Sequence, residues 1–371
     1  MVPLKILVLS RKDIHHPRAG GAEIVLHKYM LGLVVQGHHV TQIAPLFPGA
    51  LRRQQIDGIQ VKRMFGIHTI YFLFWSWYVR HGAGKFDLII DHAGGIPLLS
   101  PLYARRTKIV LLIHHLGTQE WTDYFQQKRR MGWLGKCCLW IYNTFVLSLY
   151  KHKMTITVSQ GTAKELQAHG FDKVTVIPNS TDMPLISFAD IVPKKNVLTI
   201  IGRIIPNKQM DHAITILHAL RVQDPTWELN IIWYAQDANE YASLQSLVHS
   251  LWVAWSVHFH GKLTQQELIP VLDTTKYLLI TSDKEWFGLT ALEANRRGVP
   301  VIAYSIPGVD EVVHHWTNGY LVPKNNWESI VTTIQASEDT YTKLVSDTHQ
   351  AIHAYPTRDD NIKTFVSLLF A

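Results

Sequence analysis

The chain has two cysteines among its 371 residues, and they are the neighbours Cys137 and Cys138. Adjacent cysteines do not close an ordinary disulfide without distortion, and no second pair exists. A disulfide framework is excluded, and a reducing, cytosolic setting is expected. Long apolar runs are missing too: none reaches the ~18 to 20 residues that a bilayer-spanning helix requires. The opening LKILVLSRK is cut off by Arg11 and Lys12, which makes it too brief for a signal peptide and better suited to a first strand. There is no Asp-x-Asp, no His-Glu-x-x-His and no Cys-x-x-Cys, and His15, His16 and His92 show no ligand spacing, so no metal site is expected. Low-complexity tracts and short repeats are likewise absent, and the apolar content is that of an ordinary globular protein. The length exceeds one ordinary core, which points to about two domains. The formal charge of +7 and pI near 9.2 favour acidic partners in general (nucleic acid, anionic lipid or phosphorylated substrates) without choosing among them.

What is present is a repeated alternation of aliphatic runs and helical patterns. Leu4 to Ser10 is a continuous apolar run, followed by a loop holding RAGGAE, a periodic stretch from Ala22 to Val35 that stops at Gly37, and then HVTQIAP. This order reads as strand, glycine loop, helix, strand. FDLIID (86–91), KIVLLIH (108–114), MTITVS (154–159) and KVTVIP (173–178) continue the series. Strands of a parallel sheet look like this because helices cover both of its faces. The pattern lapses over NSTDMPLISFADIVP (179–193) and restarts as NVLTIIGR (196–203), so a domain boundary is placed near 185. ELNIIWYA, VHFHG, YLLITS, PVIAYS and GYLVP then supply further strands, with helices such as 210–222 and 265–274 between them. The expected fold class is α/β, with doubly wound domains at 1–185 and 186–355. A cleft between the carboxyl ends of two such sheets is the natural ligand site.

EWFGLTALEANRRGVP (285–300) places Glu285 in a loop, Gly288 where a helix begins, and Glu293 one turn inside that helix. A helix N-terminus offers free N–H groups and the positive end of a dipole, a ready site for phosphate. Two carboxylates beside it would repel the phosphate, so their consistent role is to accept hydrogen bonds from hydroxyls, as from sugars on either side of a diphosphate. Earlier in the same half, IGRIIPNKQ sets Gly202, Arg203 and Lys208 directly after a strand, where two cations would neutralise charge on a departing diphosphate.

Glu285 with Glu293, IGRIIPNK, VIPNSTD (176–182), VHFHGKLTQQEL (257–268), GVPVIAYSIPGVDEVV (298–313) and RAGGAE (18–23) together resemble the retaining glycosyltransferases of family 4, which have the GT-B fold of two Rossmann-like domains. The resemblance covers nearly the whole chain in the family's order. It implies a donor-binding second domain, an acceptor-binding first domain, and a last helix, 356–371, that crosses back to the first. It also implies a metal-independent transfer of a hexose, with retention, from a UDP- or GDP-sugar to a hydroxyl of a glycan or lipid-linked acceptor in cell-surface polysaccharide or glycolipid assembly. No cofactor and no nucleic-acid partner follow from it.

By the same resemblance Arg203 and Lys208 would stabilise the leaving nucleoside diphosphate, Glu285 would hold the donor sugar, and Glu293 the ribose. Backbone N–H groups of Phe287, Gly288 and Leu289 would meet the diphosphate. Gly202 belongs to the same strand end, and Gly20 and Gly21 would let a first-domain loop approach the phosphates. His114, in preference to its neighbour His115, would stand near the reacting sugar carbon. Asp310 and Glu311 read as ordinary acids at a helix start. The chain departs from the family at Tyr234 and Ala235, at Ser180 and at Trp286, each where glycine is common, and the first two put base preference in doubt.

IYFLFWSWYV (70–79) is intensely aromatic, and QKRRMGWLGKCCLWIYNTFVLSLYKHK mixes Lys128, Arg129, Arg130 and Lys136 with apolar residues. Such stretches suit either an anionic membrane surface or helices packed on the sheet. Two rival functions stand beside the transferase: a two-carboxylate sugar hydrolase, and a nonenzymatic nucleotide-sugar binder. A dehydrogenase is disfavoured because RAGGAE is not a G-x-G-x-x-G turn.

Overall fold

A computed structural model of the chain describes residues 2–66, 69–94, 96–116, 132–191 and 194–370. Lys128, Arg129 and Arg130 lie outside the described residues, as do the side chains of Tyr234 and Ala235. The chain divides into two compact units, residues 1–179 with 358–371 and residues 180–357.

The first unit is built on β1 (Lys5–Leu9), β2 (His39–Ala44), β3 (Arg53–Ile56), β4 (Ile59–Arg63), β5 (Leu88–Ala93), β6 (Lys108–Ile113), β7 (Met154–Thr157) and β8 (Val174–Val176). Their order is β3-β4-β2-β1-β5-β6-β7-β8, parallel throughout except for the edge hairpin β3–β4. Its turn is Asp57-Gly58, both with positive φ, the pairing that a tight hairpin turn requires. Among the described residues, helices α1 (Gly21–Val35), α2 (Ile70–Trp77), α3 (Gly132–Ile141) and α4 (Gln160–Ala168) fall between strands. Five of the six residues of β6 are buried, as a strand covered on both faces requires. One face packs on Phe74, Tyr78, Tyr142 and Tyr150, the other on Leu26, Tyr29 and Met30.

The second unit carries β9 (Val197–Ile204), β10 (Glu228–Gln236), β11 (Val257–Gly261), β12 (Tyr277–Ile280), β13 (Val301–Tyr304) and β14 (Gly319–Val322). Between and after them run α5 (Met210–Arg221), α6 (Ala238–Ser250), α7 (Gln265–Thr274), α8 (Leu289–Arg296), α9 (Trp327–Ala336) and α10 (Tyr341–His353). The strands are all parallel in the order β11-β10-β9-β12-β13-β14. This is the doubly wound dinucleotide-fold order, and its direction reverses between β9 and β12.

The division falls after Asn179 rather than at 185. Met183 is buried in the second unit's core, Ile186 donates its N–H to the Arg296 carbonyl, and Arg297 donates to the Pro184 carbonyl. The segment after 180 is thus tied to α8 before its first strand begins.

The last helix, α11 (Arg358–Phe370), belongs to the first unit. Phe365 stacks on Tyr29 with ring centroids 4.2 Å apart and planes 6° from parallel, worth about 1 kcal/mol beyond the area it buries. Gly32 permits the approach, since a Cβ there would stand 2.3 Å from Cγ2 of Ile362. Asn361 donates to the Pro178 carbonyl over 2.5 Å.

Candidate active site

Ligands of open parallel sheets bind beyond the carboxyl ends of the strands where the winding reverses. In the second unit that point lies between β9 and β12, and the residues following these two strands meet. Lys208 sits in a single helical turn, Pro206–Lys208, after β9, and Gln209 closes the turn in the left-handed region at φ 45°. The end of β12 holds this turn in place. The Thr281 hydroxyl donates to the carbonyls of Lys208 (3.1 Å) and Gln209 (2.9 Å), and the Asp283 N–H donates to the Asn207 carbonyl (2.8 Å).

The Lys208 ammonium donates to Oε1 of Glu285, and the Ser282 hydroxyl donates to the same oxygen over 2.9 Å. Both charged side chains are mostly buried, with 12% and 18% of their surface exposed, so their attraction is little screened. Together with Met210 and Thr290 they line a small pocket at the sheet edge. Gly202 lies beneath the lysine stem, where a Cβ would stand 3.5 Å from Lys208 Cε, an ordinary contact. Arg203, on the same strand, is exposed.

Phe287 is buried, and Gly288 precedes α8 in the left-handed region at φ 74°, a conformation that favours glycine. Leu289 opens the helix. The chain after β13 supports this loop from below. A Cβ on Gly308 would lie 2.5 Å from the Glu285 carbonyl oxygen and 2.7 Å from the Trp286 carbonyl carbon, so only a glycine lets these two stretches of backbone lie in contact. Beside them the Lys284 ammonium stands 4.3 Å from the centre of the Trp286 ring. Asp310 and Glu311 stand in a run of turns, not at a helix start. Asp310 accepts from the Ile306 N–H and the Ser305 hydroxyl, which fixes the loop that carries Gly308.

Glu293 is half-buried, one turn into α8, and among the described residues no cation pairs with it. Arg297 is engaged by Asp273 in a two-armed pair at 2.8 Å, and Arg296 donates to the Met183 carbonyl. Burial pushes the Glu293 carboxyl up to about 7, opposed in part by a hydrogen bond from Thr181. The two carboxylates therefore differ in surroundings: Glu285 is paired with Lys208, whereas Glu293, pushed up by burial, shares its proton with solvent near neutrality.

In the first unit Gly20 caps α1 in an extended conformation, and its N–H donates to Oε2 of Glu23 over 2.7 Å. Gly21 is the first helical residue. Lys12 pairs with the other oxygen of Glu23 at 3.3 Å and donates to the Arg18 carbonyl, so the loop is closed upon itself. Asp13, fully buried, is gripped by Arg63 at 2.7 and 2.8 Å. A phosphate reaching the Gly20 N–H would have to displace the Glu23 carboxylate.

His114 follows β6 and is buried, as is His92 in β5, and the two rings meet edge to face at 5.0 Å. Burial holds His92 down to about 3 and His114 well below the ordinary histidine range, so both are neutral at physiological pH. Nε2 of each is buried and has no hydrogen-bond partner among the described residues. His115 is half-buried. Sequence reasoning weighed His92 only as a metal ligand, because only the register β5–β6 brings it beside His114. It also passed over Ser282 and Gly308, which no spacing rule marks. Among the described residues no three His, Cys, Asp or Glu side chains cluster as a metal site would need.

The sequence itself carries a family signature. Residues 185–351 match the profile of the glycosyl transferases group 1, and residues 19–183 that of glycosyltransferase family 4. An exopolysaccharide phosphotransferase of Streptomyces coelicolor is 34% identical over 36% of this chain and 14% of its own length. An uncharacterized glycosyltransferase of Haemophilus influenzae is 23% identical over 67% of this chain and 65% of its own. The chain thus spans less than two thirds of either relative. Among solved structures, Anabaena HepE in complex with UDP and glucose superposes with a TM-score of 0.74 over 99% of both chains at 20% identity, a likeness of fold. Two parallel-sheet units with this strand order and this pair of matched profiles give one conclusion: the chain has the GT-B fold and belongs to the group 1, family 4 glycosyltransferases.

Proposed function

We propose that the protein transfers a hexose from a UDP- or GDP-sugar to a hydroxyl of a glycan or lipid-linked acceptor with retention of configuration and without a metal, in cell-surface polysaccharide or glycolipid assembly. The observation that carries this reading is the Lys208–Glu285 pair at the β9/β12 reversal, beside the glycine-led N-terminus of α8. An ammonium has three donors, so Lys208 can hold Glu285 and still meet a diphosphate oxygen. The N–H groups of Phe287, Gly288 and Leu289 would meet the remaining charge. Gly202 would leave the strand end low beneath the lysine, and Arg203, exposed on the same strand, would close over the diphosphate. Glu285 would accept from sugar hydroxyls through its second oxygen and Glu293 from the ribose. Gly20 and Gly21 would admit the donor phosphates to the first-unit loop, and His114 would serve the reacting sugar as a neutral imidazole.

The bond from the anomeric carbon to the diphosphate oxygen breaks while the acceptor oxygen bonds to the same face of that carbon. The acceptor proton passes to the departing phosphate oxygen. Cations and a helix dipole then replace the general acid that glycoside hydrolysis needs. A neighbour of the same fold solved with UDP and glucose supports a nucleotide-sugar donor. A family setting in the cytoplasm, at the inner face of a membrane, would suit a lipid-linked acceptor, and no described helix is long and apolar enough to cross a bilayer.

Thermal unfolding with nucleoside diphosphates and nucleotide sugars, in EDTA, tests the reading. A ligand at 100 times its dissociation constant adds about 2.7 kcal/mol. One base should stabilise the protein, and Lys208→Met should abolish the shift. No shift from any member of the panel would remove the donor site and leave the hydrolase reading ahead.

A further inference from the structure

Helix α3 and the wide helical turn that continues it, Tyr142–Val146, turn the wrong residues outward for a surface helix. Their inner edge is conventional: Tyr142, Val146 and Leu147 are buried in the core of the first unit. Their outer stripe repeats at helical spacing as Trp133, Lys136, Trp140, Ile141 and Phe145. Trp133 and Trp140 expose 70% and 67% of their surface, and Ile141 and Phe145 about half. An outward stripe is ordinarily polar, because a tryptophan left in water forfeits its burial energy. Helix α2 and the turn after it repeat the pattern, with Trp75 and Val79 exposed beside Arg80.

Charge is divided unequally between the units. Residues 1–179 and 358–371 carry 24 Lys and Arg against 11 Asp and Glu, whereas residues 180–357 carry 12 against 18. The first unit is therefore +13 and the second −6, and the modest total conceals the contrast.

We propose that the outer face of residues 133–145 docks on a lipid bilayer that contains anionic lipid. Tryptophan and phenylalanine insert at the headgroup boundary, Lys136 reaches the phosphates above them, and the charge of the whole unit supplies the long-range attraction. A second copy of this chain fits the face poorly, since a two-fold contact through it would set one strongly positive unit against another. The second unit also exposes tryptophans, Trp252 and Trp255, but an anionic surface repels its net charge, so they serve as an internal control. The inference deepens the acceptor part of the proposed function, and it does not depend on the donor site.

The test is flotation of the full chain with phosphatidylcholine vesicles and with vesicles containing roughly a third phosphatidylglycerol. Binding is expected only to the anionic vesicles at low salt, and it should weaken at about 0.5 M salt. Trp133→Ser/Trp140→Ser should reduce the bound fraction roughly tenfold, while Trp252→Ser/Trp255→Ser leaves it unchanged. Nucleoside diphosphate should still stabilise the Trp133→Ser/Trp140→Ser variant, which separates loss of docking from loss of fold or donor site. Failure of the wild-type chain to float at low salt overturns the proposal, as does binding that survives loss of both tryptophans. So does a lipid-free dimer, seen by sedimentation, that the same variant dissolves.

Discussion

Lys208 and Glu285, 77 positions apart in the chain, share one ion pair because the strands they follow, β9 and β12, are neighbours in the sheet. Removing either partner strands the other charge in a site that is mostly closed to water. Lys208→Met and Glu285→Gln should each cost about 2–4 kcal/mol in urea unfolding, and the double variant less than the sum of the two. Additive losses would show that the pair is not coupled.

Gly308 and Gly202 offer a matched comparison. At Gly308 a methyl group meets backbone at 2.5 Å and the φ of 88° is strained for any other residue, so Gly308→Ala should lower stability by about 2–4 kcal/mol and displace Glu285. At Gly202 the nearest atoms stand 3.5 Å away, and Gly202→Ala should change stability by less than about 1 kcal/mol. Thermal melts of both variants decide it, and equal effects would contradict the contact described at Gly308.

Glu293 makes a pH prediction with a definite sign. The folded protein keeps its proton up to about pH 7, whereas the ordinary carboxyl releases it near 4.5. Between these values the native state binds more protons than the unfolded chain, so stability contributed by Glu293 falls as pH rises. Glu293→Gln should flatten that fall in a series of urea melts from pH 4.5 to 8. A wild-type-like slope in the variant would place the titration elsewhere.

His92 and His114 act in the opposite direction. Their folded values lie below the ordinary 6.5, so the stability they contribute is present above that pH and is lost as acid approaches the folded values, at about 1.4 kcal/mol per pH unit for each ring. His92→Phe should therefore make unfolding less acid-sensitive between pH 6.5 and 4. Chemical denaturation at several pH values, compared with the wild type, isolates this contribution from that of Glu293.

Much of the fold was legible in the sequence because a parallel sheet writes its strands as aliphatic runs, and β6, β9 and β12 lie where KIVLLIH, NVLTIIGR and YLLITS stood. The glycine at 288 and the helix after it were equally plain, since left-handed backbone before a helix calls for that residue. The β3–β4 hairpin escaped notice although Asp57-Gly58 is a strong turn signal, because the flanking strands are polar and lie at an edge. The Lys208–Glu285 and Thr181–Glu293 contacts were beyond reach, since they depend on which strands are neighbours and not on spacing. Arg296 and Arg297, which share the helix with Glu293, instead hold the chain entering the second unit. Composition could show that 133–145 was aromatic, but only packing could show which edge faces out.

The return of α11 to the first unit has a consequence for the birth of the protein. Residues 180–357 must leave the ribosome before 358–370 can, so the apolar seat at Tyr29 and Gly32 waits uncovered through the synthesis of an entire second unit. During that interval the first unit is an open vessel whose stopper has not yet been made. A nascent chain stalled in the second unit would be the species that chaperones must guard.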